Sequence, residues 1–299
     1  MSRPDPAIAE PRALARDRRV ERSRRSLEFA IDALIRPGSW AAKIAYELGL
    51  QGRVRSRTHR FNLGRQARDA VRPTLRVAFA ADFHAGATTD ERVLADACRK
   101  LAAFEPDLVL LGGDFVSVRA SYIDRLTPFL AGVHAPLGKL AVLGNHDLRA
   151  DRPTVLRGLG DAGVRVLDNE PVRLPTPFDD VTICGLSDIA RGDPRPDLAI
   201  DGVTGTRVVL MHSPEVLRAI GDRPFDLALC GHTHGGQVAL PWGTPIVMSG
   251  GDLNRQYVRG LFTLDGHPPR SLLVTNGVGC STAPVRLFAA PEVHLCLIT

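Results

Sequence analysis

The sequence predicts a layered α/β fold in which two sheets pack face to face with helices outside. Two observations carry this prediction. After Pro73, short apolar runs alternate with helical stretches in the strand, helix, strand order of a βαβ domain. From about residue 180 onward, strand-like runs follow one another with a single helical stretch between them. Apolar residues make up 44% of the 299-residue chain and charged residues 24%, a balance that supports a packed core and excludes a disordered or fibrous chain.

The elements read in order. Apolar positions Leu27, Ile31, Leu34 and Ile35, then Ile44, Leu48 and Leu50, recur at helical spacing, and Pro37-Gly38 breaks them into two short amphipathic helices. LRVAFAAD (75–82) is a compact apolar run, the pattern of a strand buried on both faces. A helix over about 90–104 leads to DLVLLGGD (107–114), and a second near 121–131 leads to KLAVLGNHD (139–147). The later strands are read at VTICGL (181–186), TRVVLMH (206–212), DLALCGH (226–232), YVRGLF (257–262), SLLVTN (271–276) and EVHLCLI (292–298), with a helix near 214–221. The change of character at Pro73 divides the chain into a partly helical extension, 1–72, and a main domain, 73–299.

Charge follows the same division. Residues 1–72 carry a balance of +9 and the remainder −4, within a total of +5. A basic amphipathic segment suits an anionic surface, and contact of 1–72 with acidic lipid on the inner face of a membrane is expected. Nucleic acid is the weaker candidate, because Phe61 is the only aromatic placed to stack among these arginines. The five cysteines (98, 184, 230, 280 and 296) are widely spaced without a C-x-x-C, as expected of buried thiols in a reducing compartment. Ser23-Arg24-Arg25-Ser26-Leu27 has the form of a twin-arginine start. The run behind it, FAIDALI, contains Asp32 and meets Arg36-Pro37, so export is not expected and a cytoplasmic chain is. No stretch reaches the roughly 18–20 apolar residues that span a bilayer.

The chemistry lies where the apolar runs end. Run 75–81 leads into Asp82-Phe83-His84, run 107–111 into Gly112-Gly113-Asp114, and run 139–143 into Gly144-Asn145-His146-Asp147. Run 206–211 ends at His212, and run 226–230 leads into Gly231-His232-Thr233-His234. Ligands at the carboxyl ends of neighbouring strands converge in one crevice. In D-x-H and H-x-H spacing, alternate side chains reach a common space. Carboxylate, imidazole and amide donors without a thiolate suit manganese, iron or zinc. His59, His134, His267 and His294 stand outside any such motif. Arg149, Arg255, Arg259 and Arg286 are candidates for phosphate contact through their guanidinium groups, with packing as the plainer reading.

This ordered series, from Asp82-x-His84 to Gly231-His232-x-His234, resembles the calcineurin-like metallophosphoesterases over about residue 75 to the C-terminus. GHTHGGQV (231–238), QYVRGLF (256–262) and TNGVGCSTAPVRLF (275–288) are similar to the bacterial membrane-associated branch, whose members often carry a membrane helix or a twin-arginine signal; neither is present here in full form. The resemblance implies a four-layer αββα sandwich of two mixed sheets. It implies two divalent ions, manganese, iron or zinc: one held by Asp82, His84 and His234, the other by Asn145, His212 and His232, with Asp114 bridging. It implies that a bridging hydroxide attacks phosphorus in a phosphodiester or pyrophosphate, with a lipid-linked substrate in view. It further implies that His146 stabilises charge or protonates the leaving oxygen, and that Asp147 orients the His146 ring. A soluble phosphodiesterase acting on nucleotides or nucleic acid is the alternative. A binding scaffold without activity is the third, disfavoured because no ligand is missing.

Overall fold

The computed structural model describes residues 26, 28–65, 72–246, 248, 250–266 and 269–299. Two six-stranded sheets pack face to face. The first runs β1 (Arg55–Phe61), β12 (Glu292–Ile298), β2 (Leu75–Ala80), β3 (Leu108–Leu111), β4 (Lys139–Ala141), β5 (Val164–Val166), all neighbours parallel except β12 and β2. The second runs β10 (Gly260–Leu264), β11 (Arg270–Val274), β9 (Leu227–Cys230), β8 (Thr206–Leu210), β7 (Val181–Gly185), β6 (Glu170–Arg173), antiparallel only in its two outermost pairs. The expected αββα sandwich of mixed sheets is the observed architecture.

Alternation along each strand builds the layers. Val77, Phe79, Leu108 and Leu110 meet Ile183, Val208, Leu210 and Leu229 between the sheets. Ala78, Ala80, Val109 and Leu111 face outward, under α3 (Glu91–Ala103), α4 (Ile123–Ala131) and α6 (Arg152–Asp161). On the far side Cys184, Val209, Ala228 and Val274 are covered by α7 (Pro196–Ala199) and α8 (Leu217–Ile220). Helix α3 shows why these sequences take these forms: Asp90 caps it by accepting from Arg92 N at 2.9 Å, and Leu94, Ala97, Cys98 and Leu101 form its buried stripe. All five cysteines are buried free thiols.

The division expected at residue 72 is not a break in the fold. Strand β1 pairs along its whole length with β12 and so belongs to the first sheet. The helix over 28–35, α1, and α2 (Trp40–Glu47) form the expected pair on either side of Pro37. Helix α1 does not lay an apolar stripe on the body, however. It buries Glu28, Asp32 and Ile35, and leaves Leu34 71% exposed. The carboxylates go inward because cations and a phenol meet them: Arg119 Nε and Tyr122 Oη each donate to Asp32 at 2.7 Å, and Arg149 Nη2 lies 3.1 Å from Glu28. Among the described residues no helix is long and apolar enough to cross a membrane. The Arg24-Arg25 motif and His267 lie outside the described residues.

Arg65 fastens the segment behind β1. Its fully buried guanidinium forms a two-pronged pair with Asp180, at 2.9 and 3.0 Å, and also donates to the carbonyls of Pro73 and Ile298. It thereby ties the end of the first sheet to the start of the second. Arg65→Ala is expected to cost roughly 3 kcal/mol, the range for breaking a largely buried pair from one side. Urea denaturation monitored by circular dichroism checks this, as a lowered midpoint with an unchanged slope.

Candidate metal centre

The carboxyl ends of β2, β3, β4, β8 and β9 meet at one edge of the sandwich, and the seven expected ligands lie there. The backbone bends hard to make the turn. Asp82, His84, Asp114, His232 and His234 all have φ between 43° and 73°, the left-handed region that costs non-glycine residues about 1–3 kcal/mol each. Strain of this kind, gathered in five of the seven expected ligands, marks a site held in shape by its surroundings. Two glycines allow the close approach. A Cβ on Gly144 would stand 2.2 Å from Asp114 Oδ1, and one on Gly231 would stand 2.2 Å from Asp82 Oδ2.

The donor atoms form two groups that share one carboxylate. His84 Nε2 lies 3.0 Å from His234 Nε2, and His234 Nε2 lies 3.8 Å from Asp82 Oδ1. His212 Nε2 lies 3.1 Å from both Asn145 Oδ1 and His232 Nδ1. Between them stands Asp114, whose Oδ2 is 3.4 Å from His84 Nε2 and 3.4 Å from His212 Nε2. Its Oδ1 accepts from His146 N at 2.8 Å, which leaves Oδ2 for the two groups. His232 N donates to both oxygens of Asp82, joining the second sheet to the first.

These spacings fit metal ligands. Two atoms each about 2.1 Å from an ion stand about 3.0 Å apart at a right angle and about 3.4 Å apart at a tetrahedral one. The hydrogen-bond assignment agrees. His212 Nδ1 donates to Gly112 O at 2.8 Å, so its Nε2 presents a lone pair to an amide oxygen, an imidazole nitrogen and a carboxylate. Only a cation, either a proton or a metal ion, reconciles so many electron-rich atoms. The pKa directions carry the same message. Burial works against a charged His212 ring, yet Asp114, then Asp82 and Asp188, hold it well above its ordinary range. Burial pushes Asp82 up to about 6, His212 opposing, whereas His212 and His146 overcome burial to hold Asp114 well below the usual carboxylate range.

His146 stands at the mouth of the site, its ring edge-on to His84 with centroids 4.7 Å apart. Ser117 O lies 2.6 Å from Nδ1, which fixes Nδ1 as the protonated nitrogen and leaves the Nε2 lone pair facing Arg149 Nη2 at 3.1 Å. Burial pushes the ring down to about 3, with Asp114 pulling the other way, so the imidazole is neutral at pH 7. Asp147 corrects the expectation placed on it. Its Oδ1 accepts from Phe115 N and Val116 N and its Oδ2 from Gly144 N, at 2.8–3.1 Å. Both oxygens are taken by backbone, so the carboxylate joins the loops behind Asp114 and Asn145 and leaves the His146 ring to Ser117 and Arg149. Burial, with Asp114 adding to it, pushes Asp147 up to about 7.

Sequence reasoning missed two participants, Asp188 and Glu28, and gave a third, Arg286, only as a candidate for phosphate contact. Asp188, just beyond β7, is 1% exposed. Its Oδ1 accepts from Ala190 N and Arg191 N, while its Oδ2 has no hydrogen-bond partner among the described residues and the carboxylate faces the charges of His212 and Asp114. Arg286 is buried; its Nη2 approaches His234 Nδ1 at 3.1 Å, and its other nitrogens donate to carbonyls of Gly279 and Ala289. Glu28 reaches the site through Arg149. Asp188 carried no signal, since GLSD reads as an ordinary turn. Arg286 sits in a motif similar to a family block, and that was its signal. Arg259 bonds the carbonyls of Phe288 and Gly243 instead of entering the site. His59 and His294 contact each other at 3.0 Å on β1 and β12, apart from the donor groups.

Gly144→Ala tests the packing argument without touching a donor. The added methyl has no room between Asp114 and His212, so bound metal measured by mass spectrometry should fall together with hydrolysis. Wild-type metal content in this variant would show that the donor groups are looser than these distances.

Comparison with known proteins agrees with this geometry. Residues 75–236 match the family model described as calcineurin-like phosphoesterase. The chain is 33% identical over 233 residues to Phosphodiesterase YaeI of Escherichia coli, covering 74% of this chain and 80% of that one. It is 28% identical over 273 residues to the UDP-2,3-diacylglucosamine pyrophosphatase LpxG of Chlamydia trachomatis, covering 74% and 82%. It is 32% identical over 232 residues to an uncharacterized metallophosphoesterase of Aquifex aeolicus, covering 75% and 85%. The chain therefore belongs to the calcineurin-like phosphoesterase family and is a metal-dependent hydrolase of phosphoric esters.

Proposed function

We propose that the chain hydrolyses a lipid-linked pyrophosphate or phosphodiester at the surface of a membrane, peripherally on its inner face. The observation that carries this reading is the place of α1. Its Glu28, Ile31 and Asp32 line a cleft with Ala87, Ser117 and His146, so the helix walls the mouth of the site. The same helix and its continuation present Leu34, Trp40, Ile44 and Leu48 to solvent, at 49–71% exposure, with Arg36 and Lys43 exposed among them. Apolar side chains with an interfacial tryptophan and flanking cations suit an anionic bilayer face. A substrate whose tail stays in that bilayer would bring its phosphates to the adjoining cleft. The pyrophosphatase activity in the name of the Chlamydia relative supports the same substrate class.

In this reading Asp82, His84 and His234 would hold one divalent ion and Asn145, His212 and His232 a second, with Asp114 shared between them. Such ions would supply water activation at neutral pH and neutralise charge on the phosphoryl oxygens. The protein's own groups do the rest. Gly144 and Gly231 let the backbone close around the donors. Asp147 keeps the loops of Asp114 and Asn145 in register. The substrate's phosphate would draw Arg149 off Nε2 and let His146 take up a proton from solvent there, which that nitrogen then gives to the leaving oxygen.

Two measurements test this. Purified protein supplied with manganese is assayed on phosphomonoesters, phosphodiesters and nucleotide-linked lipid pyrophosphates, with Asn145→Ala as control. Preference for the lipid substrate, lost in the control, is expected. Activity confined to soluble diesters would favour a nucleotide phosphodiesterase. Flotation with phosphatidylglycerol vesicles should recover the full chain. Trp40→Ser combined with Ile44→Ser and Leu48→Ser should leave it unbound, and undiminished binding would contradict the membrane reading.

A further inference from the structure

The His146 ring is gripped from two sides. On one side Ser117 O accepts a hydrogen bond from its Nδ1 at 2.6 Å. On the other, Arg149 Nη2 lies across the ring, 2.8 Å from Nδ1 and 3.1 Å from Nε2, and with Nδ1 protonated its N–H donates to Nε2. Arg149 belongs to α5 (Asn145–Arg149), the short helix that begins at Asn145, and its side chain is only 15% exposed. A long guanidinium side chain has little reason to hold that pose by itself, since its rotamer entropy opposes fixation. Here the same Nη2 is 3.1 Å from Glu28 Oε2, and the Glu28 side chain is 8% exposed.

Glu28 is itself anchored. It lies one turn before Asp32 on the buried face of α1, and Asp32 accepts from Arg119 and Tyr122. Helix α1 thus reaches the body through two carboxylates of different purpose. Asp32 fixes the helix, and Glu28 extends from it to the Arg149 that covers His146. Chains in which a carboxylate orients a cation or imidazole beside a reacting group are a recurrent means of preorganisation.

We infer that Glu28 and Arg149 are positioning residues for His146, which makes helix α1 of the N-terminal segment a working part of the active site. The inference rests on the proposal that His146 serves the leaving oxygen. Its consequence is specific: loosening the ring should matter for substrates whose leaving group needs a proton and little for those that leave unaided.

The test is a series of aryl and alkyl phosphodiesters of rising leaving-group pKa, run on the full chain with manganese. With Glu28→Gln, kcat on the poorest leaving groups should fall about tenfold, a part of the roughly 10²–10⁴ that a positioned general acid supplies. KM should stay within about twofold, and 4-nitrophenyl esters should be almost unaffected. His146→Asn should steepen the same dependence further, and Glu28→Gln added to it should cost nothing more. Arg149→Gln removes the guanidinium from the other end and should steepen the dependence likewise, whether or not Glu28→Gln folds well; Arg149→Lys should restore part of the loss. A readout independent of turnover is the His146 Nδ1 proton seen by NMR, which should exchange faster with solvent in Glu28→Gln. A steep response in His146→Asn with a wild-type response in both Glu28→Gln and Arg149→Gln overturns this inference alone. So does a loss equal across all leaving groups, or one that persists on the His146→Asn background. A wild-type response in His146→Asn overturns the proposed role of His146 and this inference with it.

Discussion

The structure turns on Asp114. One of its oxygens is tied to a backbone N–H, and the other stands at the same distance from an imidazole of each donor group. That arrangement requires two sheets to bring their strand ends within a few ångströms of each other. It also places several carboxylates and imidazoles in an interior that is otherwise apolar. Burial of so many ionisable groups is costly unless cations satisfy them. The donor spacing meets that need, and the apolar layers behind it keep the donors from relaxing apart.

The N-terminal segment takes part in this. Strand β1 extends the first sheet, Arg65 links the sheet ends, and α1 stands over the cleft. A chain begun at residue 73 would lose an edge strand, the Arg65 anchor and one wall of the site together. The exposed apolar side chains of α1 and α2, with Arg36 and Lys43 among them, belong to the same two helices.

Much of this was legible in the sequence for a simple reason. Strands buried on both faces read as uninterrupted apolar runs, and LRVAFAAD and DLVLLGGD display their ligands at the point where that apolar character stops. Edge strand β1 was not legible because RSRTHRF leaves most of its side chains exposed and shows no apolar alternation. Helix α6 contains two glycines and reads as a weak helix former, but Val155 and Leu159 hold it to the core. The site was legible as residues, less so as relationships. His146 and Asp147 are neighbours in sequence, yet their side chains serve different loops. Glu28 was hidden because helical periodicity predicts apolar residues on the inner face, and here the inner face of α1 carries carboxylates whose partners lie about ninety to one hundred and twenty residues away.

The most direct measurement is the number of metal ions per chain in Asp114→Ala compared with wild type, made on the same samples used for hydrolysis of a phosphodiester. Two ions per wild-type chain, with one or none in the variant and hydrolysis lost, is the predicted result. An Asp114→Ala chain that keeps both its metal and its activity would contradict the shared-carboxylate centre on which the account is built.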